Sequence, residues 1–151
     1  MVAISIVAIL ATLGITVYSS SQKTARAAKR KGDLKDIVNA LEIYKIKNGR
    51  YPDVTSSTGR GGWGDSDLNP TNYVIGISGS FKFGIVPVDP VNNATYHYSY
   101  YRYPAAYTGC TGVFYVVGIL KFESMKKNPV GWKCPGRDWT LEFDEVAGAY
   151  E

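Results

Sequence analysis

Residues 1–18 read MVAISIVAILATLGITVY and contain no charged residue, whereas residues 36–53 read DIVNALEIYKIKNGRYPD. As a helix rising about 1.5 Å per residue, the first run would be about 27 Å long, close to the ~30 Å hydrocarbon core of a bilayer. Basic residues follow this run rather than precede it, unlike those of a signal peptide, so we expect it to be kept in the mature protein. We interpret it as a membrane or bundle helix, with a core helix of a soluble domain as the alternative.

The second half of the same predicted helix is amphipathic. Its apolar residues recur three or four positions apart and make one stripe, formed by Leu34, Ile37, Val38, Leu41 and Tyr44. We expect this stripe to pack against a sheet. The helix should end at Asn48, because Gly49 can adopt positive φ and Pro52 restricts the residue before it to extended conformations.

Four other residues of this helix carry predictions. Gly14 and Gly32 are candidate points of local unwinding, since each costs about 1 kcal/mol relative to alanine in a helix interior. Ile43 and Ile46 fall off the apolar stripe at 100° per residue. They either contact neighbouring molecules or are scattered surface aliphatics.

The chain after the helix reads as a loop followed by short strands. Residues 53–72 are rich in Gly, Ser, Thr and Asp and predict an exposed loop. β-Branched and aromatic runs separated by prolines predict strands at 73–77, 81–85, 96–103, 113–122 and 140–143. The run VFYVVGILKF at 113–122 is nearly uncharged and predicts a central strand covered by the helix.

One helix followed by a series of strands is typical of the α+β class. We expect a long N-terminal hydrophobic and then amphipathic α-helix, packed on a small antiparallel β-sheet. The chain divides into an apolar transmembrane or filament-core segment at 1–22, an amphipathic helix half at 23–52, and a globular β-sheet headpiece at 53–151. A length of 151 residues suits one domain with an ordinary core.

The net charge of +4 has a local origin. Five basic residues follow the apolar run directly: Lys23, Arg26, Lys29, Arg30 and Lys31. They could meet acidic residues of neighbouring subunits or anionic lipid headgroups, or form a solvated helix face. The positive-inside tendency by itself would place this basic cluster, and the C-terminal domain with it, in the cytoplasm.

The two cysteines, Cys110 and Cys134, favour the opposite side of the membrane. They lack a CxxC spacing, and the single histidine, His97, is distant from both in sequence, so a zinc or redox site has little support. A structural disulfide closing a loop of about 25 residues would contribute roughly 3 kcal/mol and would persist only outside the reducing cytoplasm. We give the cysteines more weight than the charge pattern.

The apolar run, the helix ending in NGRYP, the small sheet and the late cysteine pair together resemble type IV pilins and type II secretion pseudopilins. The residues that carry the resemblance are MVAISIVAILATLGITVYSS at 1–20 and DIVNALEIYKIKNGRYPD at 36–53. Family members are made with a short basic leader, cleaved before a residue that is usually Phe, with a Glu a few residues later. Neither is seen before Val2, so we expect the mature sequence to start upstream of Met1.

The resemblance implies that the segment from Met1 to about Ser20 anchors the subunit in the inner membrane and later packs in the filament core. It also implies that Gly14 lies in a stretch that often loses helical hydrogen bonds in the filament, and that Cys110 and Cys134 close a loop on the outer surface. The residues assigned to the anchor and filament core are Val2, Ile4, Ile6, Val7, Ile9, Leu10, Leu13, Gly14, Ile15 and Val17.

We therefore predict a structural subunit of a type IV pilus-like extracellular filament, a helical assembly of identical subunits built by pilus assembly machinery. It would reside in the inner membrane before assembly and at the cell surface afterwards, serving adhesion, motility, secretion or DNA uptake. A major pseudopilin of a type II secretion system is the first alternative, and a bitopic membrane-anchored binding domain is the second. No constellation of Ser, Asp and Glu points to hydrolysis, and we predict no enzymatic activity.

Smaller signals compete with ordinary structural roles. The turn from Asp89 to Asn93 offers oxygen ligands, and major pseudopilins bind calcium through a C-terminal loop, but an Asx turn is the simpler interpretation. No other cofactor is expected. Asn93-Ala94-Thr95 fits the N-glycosylation pattern, and His97 is interpreted as a surface or packing residue. The twelve tyrosines could stack on DNA bases, occupy half-buried strand positions or form adhesive surface.

Overall fold

The computed structural model describes residues 17–54, 60–82 and 84–151 in full, and residues 2–16 as helix without their side chains. In these ranges, α1 (Val2–Asn48) comes first. The strands that follow are β1 (Gly64–Asp65), β2 (Tyr98–Tyr103), β3 (Phe114–Ile119), β4 (Lys133–Cys134), β5 (Arg137–Asp138) and β6 (Glu145–Tyr150). An antiparallel sheet has the order β1-β2-β3-β6, and β4 pairs with β5 as a separate ribbon. The predicted α+β architecture is confirmed.

The helix α1 ends where its sequence predicts. Gly49 adopts φ +74° and donates its N–H to the carbonyl oxygen of Lys45 at 2.8 Å, so a residue without Cβ closes the last turn. The helix passes through Gly32 without interruption, so the unwinding predicted there is wrong. Packing of the flanking turns against the sheet outweighs the propensity cost of one glycine. The same prediction at Gly14 lies outside the fully described residues.

The apolar stripe of α1 lies against one face of the sheet. Leu34, Ile37 and Leu41 are buried, and Val38 and Tyr44 are partly buried against the same core. The sheet contributes alternate residues of its two central strands to this core, namely Tyr98, Tyr100, Tyr115, Val117 and Ile119. The period of two in these positions is that of a strand with one face toward the helix.

The opposite face of the sheet is covered as well. Phe114 and Val116 point away from the helix and join a second core with Tyr103, Trp139 and the two cysteines. The strand β3 is therefore central and buried on both faces, since all six of its residues are buried. Burial on both sides explains why its sequence is a continuous apolar run without alternation.

Three of the predicted strands differ from the structure. Residues 73–77 contribute only an isolated bridge between Val54 and Val74, and the described residues of 81–85 form no strand. Their apolar side chains are nevertheless used, because Tyr73, Val74 and Ile77 are buried in the core under the helix. Residues 140–143 do not form a strand either, since a 3-10 helix occupies Trp139–Leu141.

The strand β6 has no counterpart among the predicted strands, because its Ala147, Gly148 and Ala149 have low strand propensity. Small residues are required at these positions. A Cβ on Gly148 would lie 2.6 Å from the ring of Trp132, while Ala147 and Ala149 pack against the core beneath α1.

Candidate assembly surface and polar clusters

Followed from Ala27 toward the N-terminus, α1 projects beyond the headpiece, and the uncharged run at 1–18 continues this projecting part. Every residue from 17 to 25 is exposed, and Ala27 is the first buried residue of the described helix. Val17 and Tyr18 are each 67% exposed. Of the residues predicted to form the anchor and filament core, only Val17 has a described side chain; the others, from Val2 to Ile15, lie outside that part of the structure.

Among the described residues, no helical segment combines the length and the apolar character needed to cross a bilayer.

The basic cluster after the apolar run is largely paired within the subunit. Arg30 has no exposed surface and donates from Nε and Nη2 to the Asp89 carboxylate at 2.5 and 2.9 Å, while Nη2 also reaches Glu123 at 3.1 Å. Arg26 donates to both oxygens of Glu123. Lys31 lies 3.5 Å from Glu145. These partners turn Arg26 and Arg30 toward the headpiece, while Lys23, Lys29 and Lys31 stay exposed.

The carboxylate of Glu123 is electrostatically tuned by this arrangement. Its pKa is lowered mainly by the hydrogen bonds from Arg26, with a further contribution from Arg30. Two positive groups around one acid therefore favour its charged form. The consequence is that helix and sheet are joined by charge as well as by the apolar stripe.

A second side of α1 stays uncovered. Ile43 is 41% exposed and Ile46 is 82% exposed, off the stripe that faces the sheet. Nearby, Lys45 donates to the carbonyl oxygen of Tyr150 at 2.9 Å, which fastens the end of β6 to the helix. The two isoleucines are available to a neighbouring molecule.

The predicted disulfide between Cys110 and Cys134 is present. It joins the segment before β3 to β4 across 24 residues, with a Cα–Cα distance of 5.2 Å. A backbone hydrogen bond from Gly136 to Thr108 at 2.8 Å runs beside it. Together with β4 and β5 they form a closed C-terminal loop over the second core.

The tyrosines are mostly structural. Tyr73 and Tyr100 are buried and donate their hydroxyls to the carbonyl oxygens of Pro87 and Pro52, each at 2.6 Å. Burial raises the pKa of Tyr103 to about 12. Buried rings cannot stack on nucleic-acid bases, so the DNA hypothesis finds no support in these residues.

An open aromatic cavity lies beside the disulfide loop. It measures about 410 Å³ and is lined by Trp63, Tyr101, Tyr103, Tyr107 and Arg137 among others. The guanidinium of Arg137 donates to the hydroxyls of Tyr103 and Tyr107 at 3.3 and 3.1 Å and is paired with Glu142. The polar lining of the cavity is thus already hydrogen-bonded within the chain.

The turn proposed as a weak calcium candidate has another role. Asp89 accepts hydrogen bonds from the backbone N–H groups of Val91 and Asn92 at 2.8 and 3.3 Å, which is an Asx turn. The Asx turn favoured from the sequence is therefore present, and the same carboxylate is buried against Arg30, which leaves it unsuited to the alternative of Ca²⁺ binding. The side chain of Asn93 lies in an exposed turn, and its glycosylation stays a prediction.

A polar cluster at β1 was missed by the sequence analysis. We call it the β1 cluster: Arg60, Asp65, Asp67 and His97. Asp65 and His97 are each 2% exposed, although the sequence predicted an exposed loop at 53–72 and no special role for the histidine. Arg60 donates to Asp67 at 3.0 and 2.8 Å and lies 3.4 Å from Asp65. The pKa of Asp67 is lowered chiefly by that hydrogen bond.

Strand pairing brings the β1 cluster together. Asp65 pairs with Ser99 across β1 and β2, so the carboxylate and the histidine two residues before Ser99 share one edge of the sheet. The sequence signal is an Asp-x-Asp pattern and a histidine 30 residues later, which has no meaning until the register is known. Of the described residues, Asp65, Asp67 and His97 make a group that could hold a metal ion.

The architecture as a whole, with a long projecting helix, an antiparallel sheet and a disulfide-closed C-terminal loop, is that of the pilin-like proteins. A family model described as type II secretion system (T2SS), protein G, matches residues 17–109. The chain belongs to this family. No curated protein and no solved structure matches it. The matched region ends just before Cys110, so β3, β6 and the disulfide loop lie beyond it.

Proposed function

We propose that the protein is the structural subunit of a helical filament and polymerises through the N-terminal part of α1. The observation that carries this proposal is the exposure of every residue from 17 to 25, where the helix leaves the headpiece. The uncharged run continues that same helix. A helix that is apolar on all sides must be buried, and copies of the same helix provide burial once the subunit leaves the membrane.

The proposed life of the subunit has two stages. Before assembly, residues 1–22 anchor it in the inner membrane with the headpiece outside the cytoplasm. Assembly machinery then transfers the segment from lipid to the filament core, where identical subunits pack around it. A structural role of this kind needs no catalytic group, and we propose that the protein is not an enzyme.

We favour a surface-exposed, type IV pilus-like filament over a short periplasmic one. The disulfide supports this choice, because it fixes a closed C-terminal loop that lies outside the family match. The crosslink needs an oxidising compartment, which the cell exterior and the periplasm both provide, so the choice rests on the added C-terminal loop. The second candidate is the major pseudopilin of a type II secretion system, which the family match itself favours.

The experiment is recovery of the protein in filaments sheared from its native cells, compared with two substitutions. Leu10→Asp places a charge in the uncharged run and should abolish filaments, because a buried charge is costly without a partner. Val130→Asp places the same charge on the headpiece, at an apolar side chain that is 76% exposed, and should leave filaments intact.

Three outcomes separate the candidates. Recovery of the wild-type chain in the sheared surface fraction supports the pilus. Retention in the cell envelope, with Leu10→Asp still blocking polymerisation, supports the pseudopilus. If Leu10→Asp polymerises as well as the wild type, the helix is not the assembly element and the proposal is wrong.

A further inference from the structure

The imidazole of His97 lies between two carboxylates, with Nε2 near Asp65 and Nδ1 near Asp67. Its Nδ1 lies 3.1 Å from the carbonyl oxygen of Asn93, and a carbonyl can only accept a hydrogen bond, so Nδ1 carries the proton. The other nitrogen, Nε2, is then left with a lone pair. The nearest carboxylate oxygen to Nε2 among the described residues is Oδ1 of Asp65 at 3.7 Å, beyond hydrogen-bond distance. A carbonyl on one ring nitrogen is also the arrangement that orients metal-binding histidines.

The positions of the neighbouring oxygens suit a shared ion. Oδ1 of Asp65 lies 3.7 Å from Nε2, too far for a hydrogen bond, and Oδ1 of Asp67 lies 3.8 Å from Nδ1. One ligand atom from each of the three residues lies within 4.8 Å of the others. Nitrogen and oxygen ligands bind Zn²⁺ at about 2.0–2.2 Å, so two ligands on one ion are at most about 4.4 Å apart. Small side-chain rotations are sufficient to bring the three atoms to one ion.

The charges of the β1 cluster do not balance. Asp65 and Asp67 carry two negative charges at sites with 2% and 7% side-chain exposure, against one positive charge from Arg60. Asp65 also accepts neutral hydrogen bonds from the Ser99 hydroxyl at 2.5 Å and the Arg60 backbone N–H at 2.9 Å, which leave the net charge unchanged. Buried charges are normally paired or bound to metal ions. A divalent cation in place of the guanidinium would neutralise both carboxylates.

The β1 cluster also has room for an ion and is accessible from solvent. A cavity of about 150 Å³ borders Arg60, Asp65, His97 and Ser99. A bound water takes about 30 Å³, so the cavity can hold an ion with water ligands to complete its coordination. The side chain of Arg60 is 45% exposed and enters from the surface, so it can withdraw into solvent.

We propose that Asp65, Asp67 and His97 form a binding site for a divalent first-row transition-metal ion, and that Arg60 competes with this ion for the two carboxylates. Zn²⁺ is the ion that the ligand set fits best, with one imidazole, two carboxylates and positions left for water. Ca²⁺ and Mg²⁺ prefer oxygen ligands alone and fit less well. Bound metal would join the edge strand β1 to the start of β2 and stabilise the headpiece.

The chain is well suited to a clean test. His97 is the only histidine, and both cysteines are in the disulfide, so no other imidazole and no thiol competes for Zn²⁺. The 151-residue chain without an affinity tag is titrated with Zn²⁺ by calorimetry, and with Co²⁺ by visible absorption. We expect one ion per chain, an increase of Tm with Zn²⁺, and Co²⁺ absorption bands of nitrogen and oxygen ligation.

Two substitutions are expected to change the Zn²⁺ affinity in opposite directions, and a third serves as the control. His97→Gln should weaken Zn²⁺ binding by about 100-fold or more, since a ligand is lost. Arg60→Gln should tighten it by about tenfold, because a competing charge-assisted contact is removed. Asp53→Asn removes a carboxylate that is 50% exposed and should change nothing. Circular dichroism verifies that each variant is folded.

Three results would overturn the proposal. They are the absence of stoichiometric Zn²⁺ binding to the wild-type chain, Zn²⁺ binding that survives in folded His97→Gln, and a preference for Ca²⁺ over Zn²⁺. Weaker binding by folded Arg60→Gln would overturn the competition between the guanidinium and the ion.

Discussion

The Arg30 guanidinium and the Asp89 carboxylate form an ion pair in which neither side chain has any exposed surface. The two residues are 59 positions apart and connect the middle of α1 to the turn that precedes β2. Taking two charges out of water is costly, and their mutual hydrogen bonds offset that cost only while both partners are present. The pair therefore acts as a specific lock between helix and sheet.

Removing one member of this lock should lower the free energy of unfolding strongly. Asp89→Asn leaves Arg30 buried with only Glu123 as an acidic partner, and we expect the free energy of unfolding to fall by about 3 kcal/mol. Asp53→Asn is the matched control, because its pairs with Arg50 and Arg102 are exposed and should be worth at most about 1 kcal/mol. Urea unfolding of the purified protein measures both. Equal losses in the two variants would contradict the lock.

Acid should release the contribution of Glu123. Its folded pKa is lowered by Arg26 and Arg30, so the stabilisation is complete above the unfolded value of about 4.3 and is lost as pH falls through the folded pKa. Glu123→Gln should be less stable than the wild type at pH 7. The difference in urea midpoint between the two should shrink as the pH falls below about 4 and through the lowered folded pKa, because Glu123 is then protonated and both side chains are neutral. A difference that is constant from pH 7 to pH 2 would contradict the ion pair.

Reduction of the disulfide should destabilise the headpiece. By the chain-entropy model, a crosslink closing a loop of this length contributes about 3 kcal/mol. The paired substitution Cys110→Ser with Cys134→Ser should lower Tm to the value of the wild type in reductant, and reductant should not affect the variant further. A Tm for the wild type that does not respond to full reduction, verified by a mass increase of about 2 Da, would contradict this prediction.

The edge strand β1 should not tolerate a side chain at Gly64. A Cβ there would lie 2.0 Å from the carbonyl oxygen of Tyr73, which is backbone and cannot move aside cheaply. Gly64→Ala should cost about 1–3 kcal/mol. Gly79→Ala is the control, because no heavy atom lies within 4 Å of its added Cβ, and it should change stability by less than about 0.5 kcal/mol. Similar unfolding midpoints for the two variants would show that β1 has another conformation.

Periodicity and local chain chemistry predicted the helix and the central strand. The stripe from Leu34 to Tyr44 and the stop at Gly49 are local signals, and β3 is uniform enough to be recognised from its composition alone. By contrast, β6 is made of small residues because Trp132 and the core beneath α1 lie against it. Such a requirement depends on packing between distant segments and leaves no local signal.

The polar clusters could not be predicted for the same reason. Arg30 stands in a basic run that looks solvated, yet it is buried because Asp89 and Glu123 arrive from two other segments. His97 and Asp65 meet only through the register of β1 and β2. Whether two charged residues distant in sequence meet depends on the topology of the chain. The sequence pattern of a single segment gives no information about that topology.

The pairing of the basic cluster also sets an order of events during synthesis. Asp89 and Glu123 follow their arginines by 59 to 97 residues, so the N-terminal helix emerges from the ribosome long before its counter-charges exist. During that interval Arg26 and Arg30 stand unpaired beside the uncharged run, and their charge is compensated only when the headpiece folds. The helix is therefore more positively charged in the nascent chain than in the folded subunit, and the folding of the headpiece causes this change.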